Sequence, residues 1–262
     1  MNSPMQTPER APVLEVRNVQ KWFGSVVALK GASFDVREDE VIGLVGDNGA
    51  GKSTLIKIIS GNFAPDAGEV FVDGARVQFR NPSDARAVGI ETVYQGLSLC
   101  ENLDSAANLF IGRELYKARL GIKTLQNKQM AEQATEMLNR LGLHIPSVKD
   151  RVEFLSGGER QSIAFARSLT WGTKLILLDE PTAALGVRET ARALSLVDEV
   201  RRERKVSMIL ISHNLQHVFQ MADRIVVLRH GEVIGIRERR KTTADEIVSM
   251  ITGAVLVAPD GE

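Results

Sequence analysis

A buried strand that runs straight into a glycine loop and then a helix constrains this chain more than any other feature. Val41-Ile42-Gly43-Leu44-Val45 is an apolar run too short for a helix and reads as a central strand. It feeds into Gly46-Asp47-Asn48-Gly49-Ala50-Gly51-Lys52-Ser53-Thr54, which fits the pattern G-x-x-x-x-G-K-[ST]. Glycines at 46, 49 and 51 let the backbone curl so that successive N–H groups converge on one point. The helix opening at Gly51 adds the positive end of its dipole. Lys52 is then placed to reach the β- and γ-phosphates of a nucleotide, and the Ser53 hydroxyl to ligate Mg²⁺. The alternative, a glycine-rich turn with no ligand, does not explain why a strand and a helix flank the pattern on the sides that phosphate binding requires.

The rest of the chain supplies a sheet for that loop. Val13–Val19 and Val26–Val36 alternate as strands do, and Lys52–Ser60 reads as a helix buried on more than one face and stopped by Gly61. A turn at Pro65-Asp66-Ala67-Gly68 leads into a strand over Glu69–Asp73, and Ile90–Tyr94 is the next apolar strand. Past Gln95 the composition shifts to Ala, Met, Glu, Gln and Leu, and Leu103–Gly112 and Thr124–Leu141 read as helices. Strands resume at Leu175–Leu178, Val206–Ile211, Ile225–Leu228 and Glu232–Ile236, with helices between the first three. Strands alternating with helices imply an α/β fold with a largely parallel, helix-covered sheet, interrupted by a helical insertion at about 96–170.

Three further positions point at the same crevice. Leu175–Leu178 ends in Asp179-Glu180, and ligands of such sheets bind beyond the carboxyl ends of the strands. Asp179 is placed to hold Mg²⁺, and Glu180 to orient and deprotonate an attacking water; a helix N-cap acid before Pro181 is the structural alternative. His213 follows a strand expected beside that of Asp179, where its imidazole would donate to a γ-phosphate oxygen. Gln95 repeats the placement at the end of Ile90–Tyr94, within reach of Mg²⁺ or water and of whatever the insertion touches. His217 and His230 read as capping or surface histidines.

Leu155-Ser156-Gly157-Gly158-Glu159-Arg160-Gln161 is a second glycine loop that opens a second helix, Arg160–Leu169. Ser156 and Glu159 have the spacing of a capping box, which by itself explains the loop as a well-made helix start. If it binds phosphate, the insertion holds it away from the first loop within one chain, and two chains arranged head to tail would bring the loops together.

Taken in order and spacing, Gly46–Thr54, Gln95, Leu155–Gln161, Leu175–Glu180 and Ser212-His213 resemble the nucleotide-binding subunit of an ABC transporter over about residues 13–252. The resemblance implies a P-loop NTPase fold of ABC type, with a mainly parallel core at about 13–95 and 171–253, an N-terminal antiparallel β lobe, and an inserted α-helical subdomain at about 96–170. It implies an aromatic residue stacked on adenine, here Phe23 rather than Trp22, and a homodimer that sandwiches two ATP molecules. Each nucleotide would lie between residues 46–54 (Gly46, Asp47, Asn48, Gly49, Ala50, Gly51, Lys52, Ser53, Thr54) of one chain and Ser156, Gly157, Gly158 and Glu159 of the other. Gly46-Asp47-Asn48-Gly49, Val77–Pro82, Gly89–Gln95 and Glu180–Gly186 resemble the monosaccharide-import branch, of fructose, ribose and xylose type. That implies membrane permease subunits, a periplasmic or extracellular sugar-binding protein, and a peripheral place on the cytoplasmic face of the inner membrane. Two departures stand out: Gly186 occupies the position of the usual aspartate that couples the two sites, and Glu159 that of the commoner glutamine. The chain carries one copy of a domain that many members of the branch carry twice, and little follows Gly253 that would make a regulatory domain.

Composition narrows the alternatives. At 262 residues with 44% apolar content and one cysteine, Cys100, the chain suits one domain with an inserted lobe in a reducing compartment. Met1–Pro12 has no apolar core and reads as a short tail, as do residues 254–262. Lysine plus arginine balance aspartate plus glutamate at 33 each, which argues against a nucleic-acid partner and an ABC protein of translation or repair. Arg201–Lys205 and Arg237–Lys241 read as solvated helix ends. Within transport, the competing assignment is the ATPase of an exporter or of an importer for another small solute. Leu97, Leu99 and Leu103 fit either a permease-docking face or the core of the lobe.

Overall fold

The computed structural model describes residues 11–93, 99–119, 122–169, 173–182 and 187–254. Gln95, Leu97 and Gly186 lie outside the described residues. Strands β1 (Leu14–Phe23), β2 (Val26–Val36) and β3 (Val41–Val45) lead into helix α1 (Lys52–Ile59). Then come β4 (Ala67–Val72), β5 (Ala75–Val77), α2 (Pro82–Ala87), β6 (Ile90–Val93) and α3 (Ser105–Phe110). A hairpin of β7 (Tyr116–Arg119) and β8 (Ile122–Leu125) precedes α4 (Asn127–Arg140) and α5 (Gly157–Leu169). The chain continues through β9 (Leu175–Asp179), α6 (Val187–Arg204), β10 (Ser207–Ile211), α7 (Leu215–Met221), β11 (Arg224–Arg229), β12 (Glu232–Glu238) and α8 (Ala244–Thr252).

The main sheet has the order β12-β11-β3-β10-β9-β6 and is parallel except for the edge strand β12. Its inner strands are near-continuous apolar runs because both faces are covered. Successive residues serve opposite faces. Ile42, Leu44, Leu175, Leu177, Ile209 and Ile211 pack with α1 and the antiparallel sheet β2-β1-β4-β5. Ile176, Leu178, Met208 and Leu210 pack with α5, α6 and the helices between β6 and β9. Helix α1 is therefore sandwiched between two sheets, which is why Leu55, Ile56, Ile58 and Ile59 are all buried.

An ion-pair network pins the edge of the two sheets opposite the glycine loop. The Arg224 guanidinium donates to Glu40 at 2.5 and 2.9 Å and to Asp35 at 2.9 Å. It thereby ties the start of β11 to the end of β2 and the turn before β3. Asp223 accepts from the Val41 amide at 2.9 Å and from Arg201 at 2.5 Å.

Several sequence expectations are corrected here. The segment between α3 and α4 is a β-hairpin, so the expected helices at 103–112 and 124–141 shorten to Ser105–Phe110 and Asn127–Arg140. Only part of Arg237–Lys241 is helical: Arg237 lies in β12 and pairs with Glu246 at 2.7 Å, while Arg239–Lys241 form one short 3-10 turn. Arg201 is partly buried against Asp223 rather than solvated. Leu99 packs against the core, whereas Leu103 is exposed. Helices α2 and α8 were not expected. Asn81 caps α2, with Pro82 in its first turn, and Thr243 caps α8 by accepting from the Glu246 amide.

Removing one partner from a buried charge network strands the others. Arg224→Ala is expected to lower unfolding stability by about 3 kcal/mol, whereas Arg202→Ala, on the exposed face of α6, should change it by less than about 0.5 kcal/mol. Urea denaturation followed by circular dichroism checks both.

Candidate functional site

The loop after β3 is built so that no side chain can intrude. Gly46, Gly49 and Gly51 have φ of 155°, 79° and 106°. A Cβ on Gly46 would collide with the Leu228 carbonyl oxygen, and one on Gly51 would lie 2.7 Å from the Ala28 oxygen and 2.8 Å from Leu29 Cδ2. The Ala50 carbonyl accepts from the Gly231 amide at 3.0 Å, which fastens the loop to the turn between β11 and β12. Helix α1 starts at Gly51 with no side-chain cap, so its first N–H groups face outward without a protein acceptor from a cap. Lys52 folds back over this loop, its Nζ donating to the Gly46 oxygen at 2.7 Å and the Asp47 oxygen at 2.9 Å. Burial lowers the Lys52 pKa, while the nearby Glu180, Asp47 and Asp179 carboxylates oppose the shift.

Asp179 ends β9 in register with Ile211 of β10. Burial, and then the negative charge of Glu180, push its carboxyl pKa up, with Lys52 and Lys57 pulling the other way. Glu180 itself has φ 51°, a left-handed conformation unusual for a residue with a side chain, which costs roughly 1 kcal/mol. Its amide still donates to the Ile211 oxygen at 3.0 Å, so the turn carries the carboxylate sideways onto the next strand's loop. There Oε1 accepts from the His213 amide at 3.1 Å and Oε2 lies 2.8 Å from His213 Nδ1. Glu180 is largely covered, whereas His213 is 75% exposed and free to meet a ligand through Nε2.

Gln161 and His217, assigned no part in this crevice from the sequence, hold its corner. The Gln161 amide, buried on α5, donates to the Pro181 oxygen at 2.8 Å. His217 is half-buried rather than a surface histidine: Nδ1 is 3.2 Å from Thr182 Oγ1, and Nε2 is 3.3 Å from the Asn214 amide nitrogen. Burial and the neighbouring His213 lower its pKa and so favour the neutral ring. A polar residue on the apolar face of α5 was the available signal for Gln161; nothing in the spacing marked His217. His230 does lie in the exposed turn between β11 and β12.

The second glycine loop forms the capping box in full. Glu159 accepts from the Ser156 amide and hydroxyl at 2.8 Å each, and the Glu159 amide donates to Ser156 Oγ at 3.3 Å. Arg160 braces the loop by donating to the Leu155 and Glu153 oxygens and pairing with Glu101 at 3.1 Å. Ser156 and Gly157 are exposed. Among the described residues no hydrogen bond joins this loop to residues 46–54. Phe23, at the end of β1, is half-exposed and braced edge-on by Phe63 at 5.4 Å, with Lys21 Nζ 5.5 Å from its ring centre.

The structure thus gathers Lys52, Asp179, Glu180 and His213 at one crevice and leaves Ser156–Glu159 on a separate outward face. The family model described as ABC transporter matches residues 29–183, more than half of the chain. The chain belongs to the ABC transporter ATP-binding family. It is similar to the fructose import ATP-binding protein FrcA of Rhizobium meliloti, 45% identical over 93% of this chain and 95% of that protein. It is 42% identical to the xylose/arabinose import ATP-binding protein XylG of Sulfolobus acidocaldarius, over 93% of this chain and 95% of the relative. Against the ribose import protein RbsA 2 of Escherichia coli O157:H7, 40% identity spans 94% of this chain but 47% of that longer protein. Among solved structures, the ATP-binding cassette MJ0796 as a dimer in a post-hydrolysis state with ADP and Pi superposes with a TM-score of 0.70 at 25% identity, covering 87% of this chain and all of that one. The fold is that of an ABC ATPase: a P-loop core of mainly parallel strands beside an antiparallel sheet and a set of inserted helices.

If Phe23 carries the adenine ring, Phe23→Ala should raise the Kd for MgATP about fivefold, the loss of roughly 1 kcal/mol of aromatic stacking. Trp22→Ala should leave it unchanged. Isothermal titration calorimetry separates the two.

Proposed function

We propose that this chain is the energy-coupling ATPase of a monosaccharide importer, completed only when two copies meet. The observation that carries the catalytic part is the left-handed turn at Glu180, which places its carboxylate between the end of β9 and His213. ATP would lie along residues 46–54, its adenine on Phe23 and its β- and γ-phosphates on the α1 N–H groups and on Lys52, released from its contacts with the Gly46 and Asp47 carbonyls. Glu180 then orients the attacking water and takes its proton, while His213, held through Nδ1, offers Nε2–H to the γ-phosphate. Gln95 would complete the water and metal shell from the loop after β6.

The donor set suits Mg²⁺. Asp179 is a partly buried carboxylate whose charge Lys52 only partly offsets, and Ser53 is exposed at the start of α1. Among the described residues no group of three or more His, Cys, Asp or Glu gathers to cage a metal. An ion here would be held by one carboxylate, a hydroxyl, water and the nucleotide's own phosphates. Held by Asp179 and Ser53, the ion would supply positive charge to offset that of the phosphates.

Ser156, Gly157, Gly158 and Glu159 of a second copy would close over the γ-phosphate from the opposite side. This reading is supported by the exposure of Ser156 and Gly157, by the capped helix α5 behind them and by the dimeric state of the MJ0796 cassette. Gln161 links α5 to Pro181, so movement of that helix on closure is felt beside Glu180.

The monosaccharide cargo follows the naming of the relatives: fructose, xylose/arabinose and ribose import. Among the described residues no helix is long and apolar enough to cross a membrane. Attachment would therefore be peripheral, to permease subunits served by a sugar-binding protein. A crevice of about 210 Å³ between β6, α2, α3 and α5 offers a docking place for the permease. It carries the Glu91–Arg113 pair at 2.9 Å, with Arg86 and Arg167 nearby.

Glu180→Gln keeps the side chain's shape and removes the base. With MgATP it should accumulate as a dimer by size-exclusion chromatography and hydrolyse at least about a hundredfold more slowly, the contribution of one general base. A monomer at saturating MgATP, or unimpaired hydrolysis, contradicts the assignment. Uptake of labelled fructose, ribose and xylose by a strain lacking this chain, with and without complementation, identifies the cargo.

A further inference from the structure

The described side chains of the β7–β8 hairpin are all exposed. Its root is anchored: the Gln126 amide donates to the Leu115 oxygen at 2.8 Å, and Leu115 packs against the core. Beyond that root every described side chain faces solvent, including Tyr116 at 54%, Ile122 at 67% and Leu125 at 44% exposure. A lone two-stranded hairpin is marginal in water, so an apolar pair and an isoleucine left uncovered on it point to an occupant.

Charge says which. Between Glu114 and Glu132 there is no acidic residue, while Lys117, Arg119, Lys123 and Lys128 are basic, in a chain of zero net charge. Lys128 reaches Glu132 at 3.9 Å, but Lys117 and Lys123 form no ion pair among the described residues. Cross-strand register pairs Tyr116 with Leu125 and Ala118 with Lys123, Lys117 with Thr124 and Arg119 with Ile122. Opposite residues share a face, so apolar and basic side chains are interleaved on the hairpin rather than segregated. A protein-protein interface would favour an apolar centre depleted in lysine and about 800 Å² per partner, more than two four-residue arms provide. The headgroup layer of a bilayer accepts this mixture: tyrosine and aliphatic groups enter the boundary while lysines extend to anionic lipid.

We infer that the β7–β8 hairpin is a membrane-surface contact that binds anionic phospholipid headgroups through Lys117 and Lys123, with Tyr116, Ile122 and Leu125 entering the interface. It rests on the transporter reading only in that a permease would bring a bilayer within reach; the lipid affinity belongs to the hairpin itself. Each basic residue near an anionic surface strengthens binding roughly fivefold, so the two lysines together supply roughly 25-fold.

Flotation of the full chain with lipid vesicles tests this. The chain should float with vesicles of equal parts phosphatidylglycerol and phosphatidylcholine, should not float with phosphatidylcholine alone, and should detach as salt is raised. The variant Lys117→Glu, Lys123→Glu should lose at least roughly 25-fold in partitioning, with ATP hydrolysis unchanged as the check that it folds. No flotation of the unaltered chain on anionic vesicles, or equal flotation of the charge-reversed variant, overturns the inference. So does a photocrosslinker at Ile122 that, in the assembled transporter, captures permease and no lipid. Loss of lipid binding with hydrolysis intact leaves the ATPase reading standing; absence of hydrolysis in the unaltered chain strikes that reading and not this one.

Discussion

Close backbone approach around residues 46–51 is the constraint on which the remainder depends. Gly46 lies against the Leu228 carbonyl and Gly51 against that of Ala28, and the Gly231 amide closes on Ala50 from the turn between β11 and β12. The Gly231 oxygen of the same turn accepts from the Lys30 amide at 2.8 Å, so the antiparallel sheet, the main sheet and the glycine loop are joined at one place by backbone hydrogen bonds. Rigid contacts on its inner side leave the loop's N–H groups facing outward. The long edge of the molecule opposite this junction is held by Arg224 and its carboxylates, which fixes how the two sheets that enclose α1 lie against one another.

From that frame the chemistry is placed by strand order. Because β10 lies between β3 and β9, the loops after the three strands converge, and Lys52, Glu180 and His213 reach one crevice from elements far apart in the chain. Glu180 accepts a strained backbone in return for a carboxylate gripped at both oxygens by the His213 amide and ring. Just beyond it, the contacts of Pro181 with Gln161 and of Thr182 with His217 bind the same segment to α5 and α7. A buried hydrogen bond, from Gln161 to the Pro181 oxygen, thus ties α5 to the segment beside Glu180.

Much of this was legible in the residues because motif and element reinforce one another. The β3–loop–α1 unit reads directly, since a five-residue buried strand and a helix with four buried apolar residues leave the glycines only one role. Asp179, Glu180 and His213 read from their places at strand ends. The hairpin did not: Tyr116–Arg119 and Ile122–Leu125 are short, lie among helix formers, and bury nothing that would impose period-two alternation. His217 was misread because a half-buried histidine differs from a surface one only through its neighbours, Thr182 and Asn214, and Thr182 comes from a different element. The run from Arg237 to Lys241 looked like a helix end by charge alone, whereas the pairing of β12 with β11 and the reach of Glu246 decide its structure. The cap of α8, Thr243 with Glu246 three residues on, was present in the sequence and went unused.

The central claim is that each nucleotide site is built from two chains, and a crosslink between unlike chains tests it most directly. One chain would carry Asn48→Cys and the other, isotope-labelled, Ser156→Cys, with Cys100→Ser in both and a short thiol-specific crosslinker added. The account predicts that MgATP produces a link between the labelled and unlabelled chains and that nucleotide-free protein gives none. A mixture that stays unlinked in MgATP, or one whose linking is indifferent to nucleotide, would contradict it.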